Sequence, residues 1–151
     1  MNAMFPLFLK AKTDPVLLRS RLIKTMIVLF TIGVVSGVAG WIASPYVTLI
    51  RPDFQESIPL LRILVSGLPI FFLSSFTMWT LVTFEKRWVL FSIYFIFMIA
   101  NICANIIFIP SYGATASAYI TIISELGILI ASSLALFKMK QSKNQNPLTA
   151  E

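Results

Sequence analysis

Few residues in this sequence could carry chemistry, and the one that stands out is an acid in apolar surroundings. Glu125 interrupts an otherwise uncharged run from Thr115 to Phe137. At the rise of a helix it stands about 15 Å along that run, near the midplane if the run crosses a bilayer. A charge at that depth costs at least about 2.5–3.5 kcal/mol, so such a group is protonated, paired, or placed beside a water-filled cavity. Glu125 is therefore a candidate contact for a proton, a coupling ion or a transported molecule. The plainer alternative is a protonated carboxyl hydrogen-bonded to a neighbouring helix. Asn101 and Asn105 stand four apart on the preceding apolar run and share one helix face. Asn101 lies at about the depth of Glu125, so a polar layer of these two is expected, with both asparagines acting as hydrogen-bonding glue between helices.

The rest of the inventory excludes much. There is no histidine, hence neither the usual general base nor the commonest metal ligand. Cys103 is the single cysteine and sits mid-run, which leaves no intrachain disulfide and no cysteine-based metal site. No glycine-rich phosphate loop, paired carboxylates or activated nucleophile is present. The expectation is a protein with no catalytic residues, no cofactor and no metal, and not an enzyme. The net charge of +6 does not mark a nucleic-acid binder, because the basic residues lie at the ends of apolar runs, where membrane topology places them.

Those polar residues need elements to hold them, and composition says which. Of the 151 residues, 58% are hydrophobic and only 12% charged, about half the charge of a soluble domain. Mean hydropathy is +0.87. Charge-free runs from Thr25 to Ile50, Ile63 to Phe84 and Trp88 to Ser124 each exceed the roughly 18–20 residues that cross a bilayer. The runs are continuous rather than alternating, which argues against a β-barrel. We read an all-α membrane protein with four transmembrane helices at about 25–47, 63–84, 88–109 and 115–137. Residues 1–24 form a basic interfacial leader and 138–151 a polar cytoplasmic tail. The amino-terminal MNAMFPLFLKAK lacks the basic and long apolar regions of a cleaved signal peptide.

Orientation follows from the basic residues. Lys10, Lys12, Arg19, Arg21 and Lys24, then Lys86 and Arg87, then Lys138, Lys140 and Lys143 fall on one side; Arg51 and Arg62 fall on the other. Ten against two places both termini in the cytoplasm. Within the first span Gly33, Gly37 and Gly40, with Ser36, form a small-residue face for close helix packing, including against helices outside this chain. Pro69 is expected to kink the second span, as a hinge or an ordinary bend.

At residues 105–125, NIIFIPSYGATASAYITIISE, the sequence resembles the polysaccharide and lipid-linked oligosaccharide flippases, in the superfamily of multidrug and toxin extruders. The family pattern is an asparagine-bearing helix end, Ile-Pro-x-Tyr-Gly, a small-residue run and Ile-Ser-Glu. Asn101, Asn105, Pro110, Tyr112, Gly113, Ala114, Ser124 and Glu125 match it, while Thr115-Ala116-Ser117 departs mildly from the usual Gly-Ala-Ala. Phe5-Pro6 before a basic stretch and Pro59 to Leu64 are further, looser likenesses, so that the resemblance runs over residues 4–138.

The resemblance implies a chain corresponding to the last four helices of a two-lobed transporter of twelve or more, resembling the end of a six-helix lobe. It would be a truncated product or one half of a split transporter in the plasma membrane. Its partners would be membrane lipids, the remaining transporter helices or another chain, and a lipid-linked oligosaccharide as cargo. Two alternatives stay open: an autonomous four-helix structural or accessory subunit, and a small multidrug-type transporter. The latter is expected to carry its essential glutamate on the first helix, and the first span here has none.

Overall fold

In the computed structural model the backbone is described for residues 15–49 and 52–145, and side chains for 20–49 and 53–139. The leader up to residue 14, with Phe5, Pro6, Lys10 and Lys12, and the tail beyond 145 lie outside the described residues. Among the described residues only 67 and 84–86 are not helical.

Helix α1 (Pro15–Ala43) opens on proline, whose missing N–H is no loss in a first turn. The basic residues Arg19, Arg21 and Lys24 are thus early turns of the same helix that carries the apolar run. Two short 3-10 segments, Ser44–Leu49 and Pro52–Glu56, follow it. The α-helix stops just before Pro45, because proline disfavours the α conformation in the residue ahead of it.

The second span is broken. Helix α2 (Ser57–Ser66) and helix α3 (Leu68–Thr83) meet at Gly67 with a bend of 43°. The expected kink at Pro69 is therefore displaced to Gly67. Pro69 sits in the first turn of α3, where it removes no intrahelical bond and begins a helix rather than bending one. The helix also starts at Ser57, so much of the expected polar connection, Arg62 included, is helical.

Helix α4 (Arg87–Gln145) is 59 residues long and helical throughout except at Gly113, with φ 64° and ψ −157°. That conformation belongs to glycine almost alone. The chain folds back there into two antiparallel limbs, 87–112 and 114–145. Asn101 of the first limb hydrogen-bonds Ser124 of the second, and Phe97 packs on Gly127. The expected turn at 110–114 narrows to one glycine, and the helix passes through Pro110 to reach it.

Helix α3 lies between α1 and α4 and packs on both. The glycine face of α1 is what brings the backbones together. A Cβ on Gly33 would lie 2.7 Å from the Pro69 Cα, and one on Gly37 would lie 2.8 Å from the Val65 carbonyl oxygen. Gly40 meets the Val65 side chain. The partners of this face are thus within the chain itself, on both sides of the Gly67 break.

What is buried is unusual for a globule. Glycines aside, the buried residues among those described are Phe76, Leu81, Ala118 and Ile128, with Ser44, Ser74, Thr77, Thr80 and Ser132. Large apolar side chains face outward instead: Ile106 is 70% exposed, Ile123 66% and Ile42 65%. Apolar surface outside and hydroxyls inside suit helices solvated by lipid, whose apolar exteriors need no burial. Helix α1 with its 3-10 extension (Ser20–Leu49) and α4 (Arg87–Met139) are long and apolar enough to cross a membrane, and the bent pair α2–α3 makes a third candidate. By length and composition these are the helices of a membrane protein.

Candidate functional site

The second limb of α4 carries Ser124 and Glu125 side by side. Successive helical residues point about 100° apart, so the two reach different neighbours. The Ser124 hydroxyl accepts a hydrogen bond from Asn101 Nδ2 at 2.9 Å. Glu125 turns to α3, where the Ser74 hydroxyl donates to its Oε1. The expected Asn101–Glu125 pair is therefore replaced by two separate contacts. The depth expected for the layer is retained, but the helical rotation sends the carboxyl to a helix further back in the sequence.

Asn101 and Asn105 share a face, as their spacing requires. Asn105 Nδ2 donates to the Asn101 carbonyl at 2.9 Å and to its Oδ1 at 2.8 Å. The Oδ1 of Asn105 is buried without a partner among the described residues.

Ser74 was not singled out by its sequence context, yet it is fully buried and holds the acid. A signal was present. Ser74, Thr77 and Thr80 recur every three residues along α3, which lines small hydroxyls on one side of an otherwise apolar helix. Thr77 donates to the Ser74 carbonyl and Thr80 to the Phe76 carbonyl, both at 2.8 Å. Such back-bonding satisfies each hydroxyl proton and leaves its oxygen able to accept.

The Ser74–Glu125 contact accommodates either protonation state of the acid. An ionised Glu125 accepts the Ser74 proton. A protonated Glu125 donates to Ser74 Oγ, and Ser74 then donates to the Phe71 carbonyl, 3.3 Å away. The site can hold or release one proton without leaving a donor stranded.

Other residues of interest lie apart from this layer. Pro110, Tyr112 and Gly113 cluster at the hairpin tip, where Tyr112 is exposed and tilts against Phe108 at 6.3 Å between ring centres. Gly33, Gly37, Gly40 and Pro69 form the α1–α3 contact. Cys103 is exposed. Among the described residues no three His, Cys, Asp or Glu side chains gather into a metal-binding group.

A second polar cluster closes the opposite end of α1. Arg62 Nε donates to Ser44 Oγ at 2.8 Å, and its guanidinium stands 5.3 Å from the centre of the Trp41 ring. Ser44 in turn donates to the Trp41 carbonyl at 2.8 Å. Seventeen residues separate Lys24 from Trp41, about 26 Å of helix. Comparison with protein-family models, with curated proteins and with solved structures finds no match for the chain.

Proposed function

We propose that the chain is a four-span membrane unit with both termini on the cytoplasmic face of the plasma membrane. In this reading it forms the C-terminal portion of a flippase that moves lipid-linked oligosaccharides. The four passes are α1, the bent pair α2–α3, and the two limbs of α4. The distribution of basic residues, ten against two, supports the orientation.

The observation that carries the reading is the polar layer. Glu125, paired with Ser74, lies twelve residues from Gly113, or about 18 Å of helix rise, the middle of a hydrocarbon core about 30 Å thick. Asn101 and Asn105 flank it through Ser124, within the segment that resembles the flippases. An ionisable group at that depth is the usual mark of a transport or proton pathway.

A second reading has its own support. The glycine face of α1 is filled by Val65, Leu68 and Pro69 of this same chain, which favours a unit that folds without further helices, as an accessory subunit would.

Vesicles separate the two. The purified chain is reconstituted alone and together with the helices that accompany it in its native membrane, and transfer of a fluorescent lipid-linked oligosaccharide is followed. We expect transfer only in the combined preparation. Saturable transfer by the chain alone would overturn the view that it is one part of a larger transporter. Absence of transfer in both would overturn the flippase reading and leave the accessory subunit.

A further inference from the structure

Arg62 carries a charge that no acid among the described residues answers. Its neighbours in sequence, Leu60-Leu61 and Ile63-Leu64, are apolar, and it is half-buried where α2 meets the end of α1. A guanidinium in such surroundings is costly without a counter-charge. Asp53 and Glu56, a few residues ahead of it, are exposed, Glu125 is held by Ser74, and Glu85 closes α3. The partners that Arg62 has among the described residues are Ser44 and Trp41, and both are neutral.

These two residues form a mount. The Nε edge of the guanidinium is fixed by its donation to Ser44 Oγ at 2.8 Å, and Ser44 is fully buried and anchored in turn on the Trp41 carbonyl. The charge stands 5.3 Å from the centre of the Trp41 ring, a cation–π distance. The two Nη groups, with their four N–H donors, have no acceptor among the described residues. Nor are they sealed in, because the buried side-chain nitrogen and oxygen atoms without a partner among the described residues are Asn105 Oδ1 and Ser132 Oγ. Parallel donors on a fixed plane fit two oxygens of one phosphate, a match that arginine makes and lysine does not.

The position of the mount points to the source of the phosphate. The stretch of α1 between Lys24 and Trp41 is uncharged, and its length of about 26 Å is close to a hydrocarbon core of about 30 Å. Beside Arg62, Trp41 is 48% exposed, Tyr46 65% and Leu49 81%. Exposed tryptophan and tyrosine at the end of an apolar helix sit at headgroup level, where the anion a bilayer presents is phosphate. A headgroup ammonium would stand against the guanidinium, so an anionic lipid suits the site better than a zwitterionic one. We propose that Arg62, mounted on Trp41 and Ser44, binds the phosphate of a membrane lipid whose headgroup carries a net negative charge. The inference rests on α1 crossing the membrane and not on what the protein carries.

Brominated lipids, which quench tryptophan on contact, test it. The full chain carries Trp79→Phe and Trp88→Phe, so that Trp41 alone fluoresces, and is placed in vesicles of phosphatidylcholine with phosphatidylglycerol as the minor component. Composition is held constant while the bromine, near the glycerol end of the chains, is moved from one lipid to the other. Phosphatidylglycerol should be preferred at Trp41 by about fivefold over its share, the factor expected of one arginine at an anionic headgroup. The preference should vanish in Arg62→Gln and shrink in Arg62→Lys, which keeps the charge and loses the planar fork. Inorganic phosphate in place of chloride, at equal ionic strength, should displace nothing. A clamp that only closed α1 would give equal quenching by both lipids, and that result would overturn the proposal. So would a preference that survives Arg62→Gln or is undiminished in Arg62→Lys. Displacement by inorganic phosphate would assign the site to a soluble anion and overturn the lipid. Quenching by neither lipid would overturn the membrane placement of this end of α1 together with the site. Should Arg62→Gln not fold, the parent chain and Arg62→Lys decide.

Discussion

The Ser74 hydroxyl donates to the Glu125 carboxyl across 51 positions of sequence, while the residue next to Glu125, Ser124, bonds Asn101 on a different helical segment. Two adjacent residues thus tie one limb of α4 to two neighbours. Polar contacts of this kind are worth about 0.6–2 kcal/mol each inside a membrane. They fix rotation and register more than they add stability, in a bundle whose large apolar side chains mostly face outward.

Replacing Glu125 with glutamine should leave assembly intact. The amide keeps the shape of the acid and can accept from Ser74, so membrane abundance and thermal midpoint should move by less than the loss of one interhelical hydrogen bond, about 0.6–2 kcal/mol. The titratable carboxyl is removed. On the proposed flippase reading, glycan export by the chain together with its partner helices should fall to background with normal abundance. Normal export in Glu125→Gln would reduce the residue to a structural contact.

The glycines separate packing from conformation. Gly37→Leu places a side chain against the Val65 carbonyl, where backbone must move, and should cost at least about 1–3 kcal/mol through overpacking. A Cβ at Gly113 meets nothing within 4 Å, yet φ is +64° with ψ −157°, so Gly113→Ala should cost about 1–3 kcal/mol for conformation alone. Thermal unfolding in detergent measures both. Adding further bulk at 113 should change little, whereas at 37 each added carbon should tell.

Glu85 offers a gain in stability. It closes α3 with φ of +58°, while Lys86 N–H bonds the Leu81 carbonyl and Glu85 N–H bonds the Val82 carbonyl, both at 3.0 Å. This is the left-handed helix end that glycine usually occupies. Glu85→Gly should therefore raise stability by about 1 kcal/mol. An unchanged or lowered thermal midpoint would show that the acid compensates for its conformation through contacts of its own.

Orientation is open to direct labelling. A cysteine at Ser57, introduced into a Cys103→Ser background, should react with an impermeant reagent from outside the cell. One at Ser142 should react only after permeabilisation. Reversed labelling would refute the cytoplasmic placement of both termini.

Much of this arrangement was legible in the amino acids alone. Hydropathy and charge marked apolar helices, because the free energy of transfer into lipid depends on composition over about twenty residues and not on neighbours. Gly113 and the spacing of Asn101 and Asn105 were legible for a similar reason, since backbone freedom and helical period are local. Helix-helix recognition is not local. Whether Pro69 would bend a helix or begin one depended on Gly67 yielding first, where the α1 glycines let the backbones approach. The neighbour of Glu125 depended on the rotation of one limb against α3, which a slip of a single residue would turn by about 100°. Ser74 could acquire its role only when a second helix, 51 positions away, brought the acid to it.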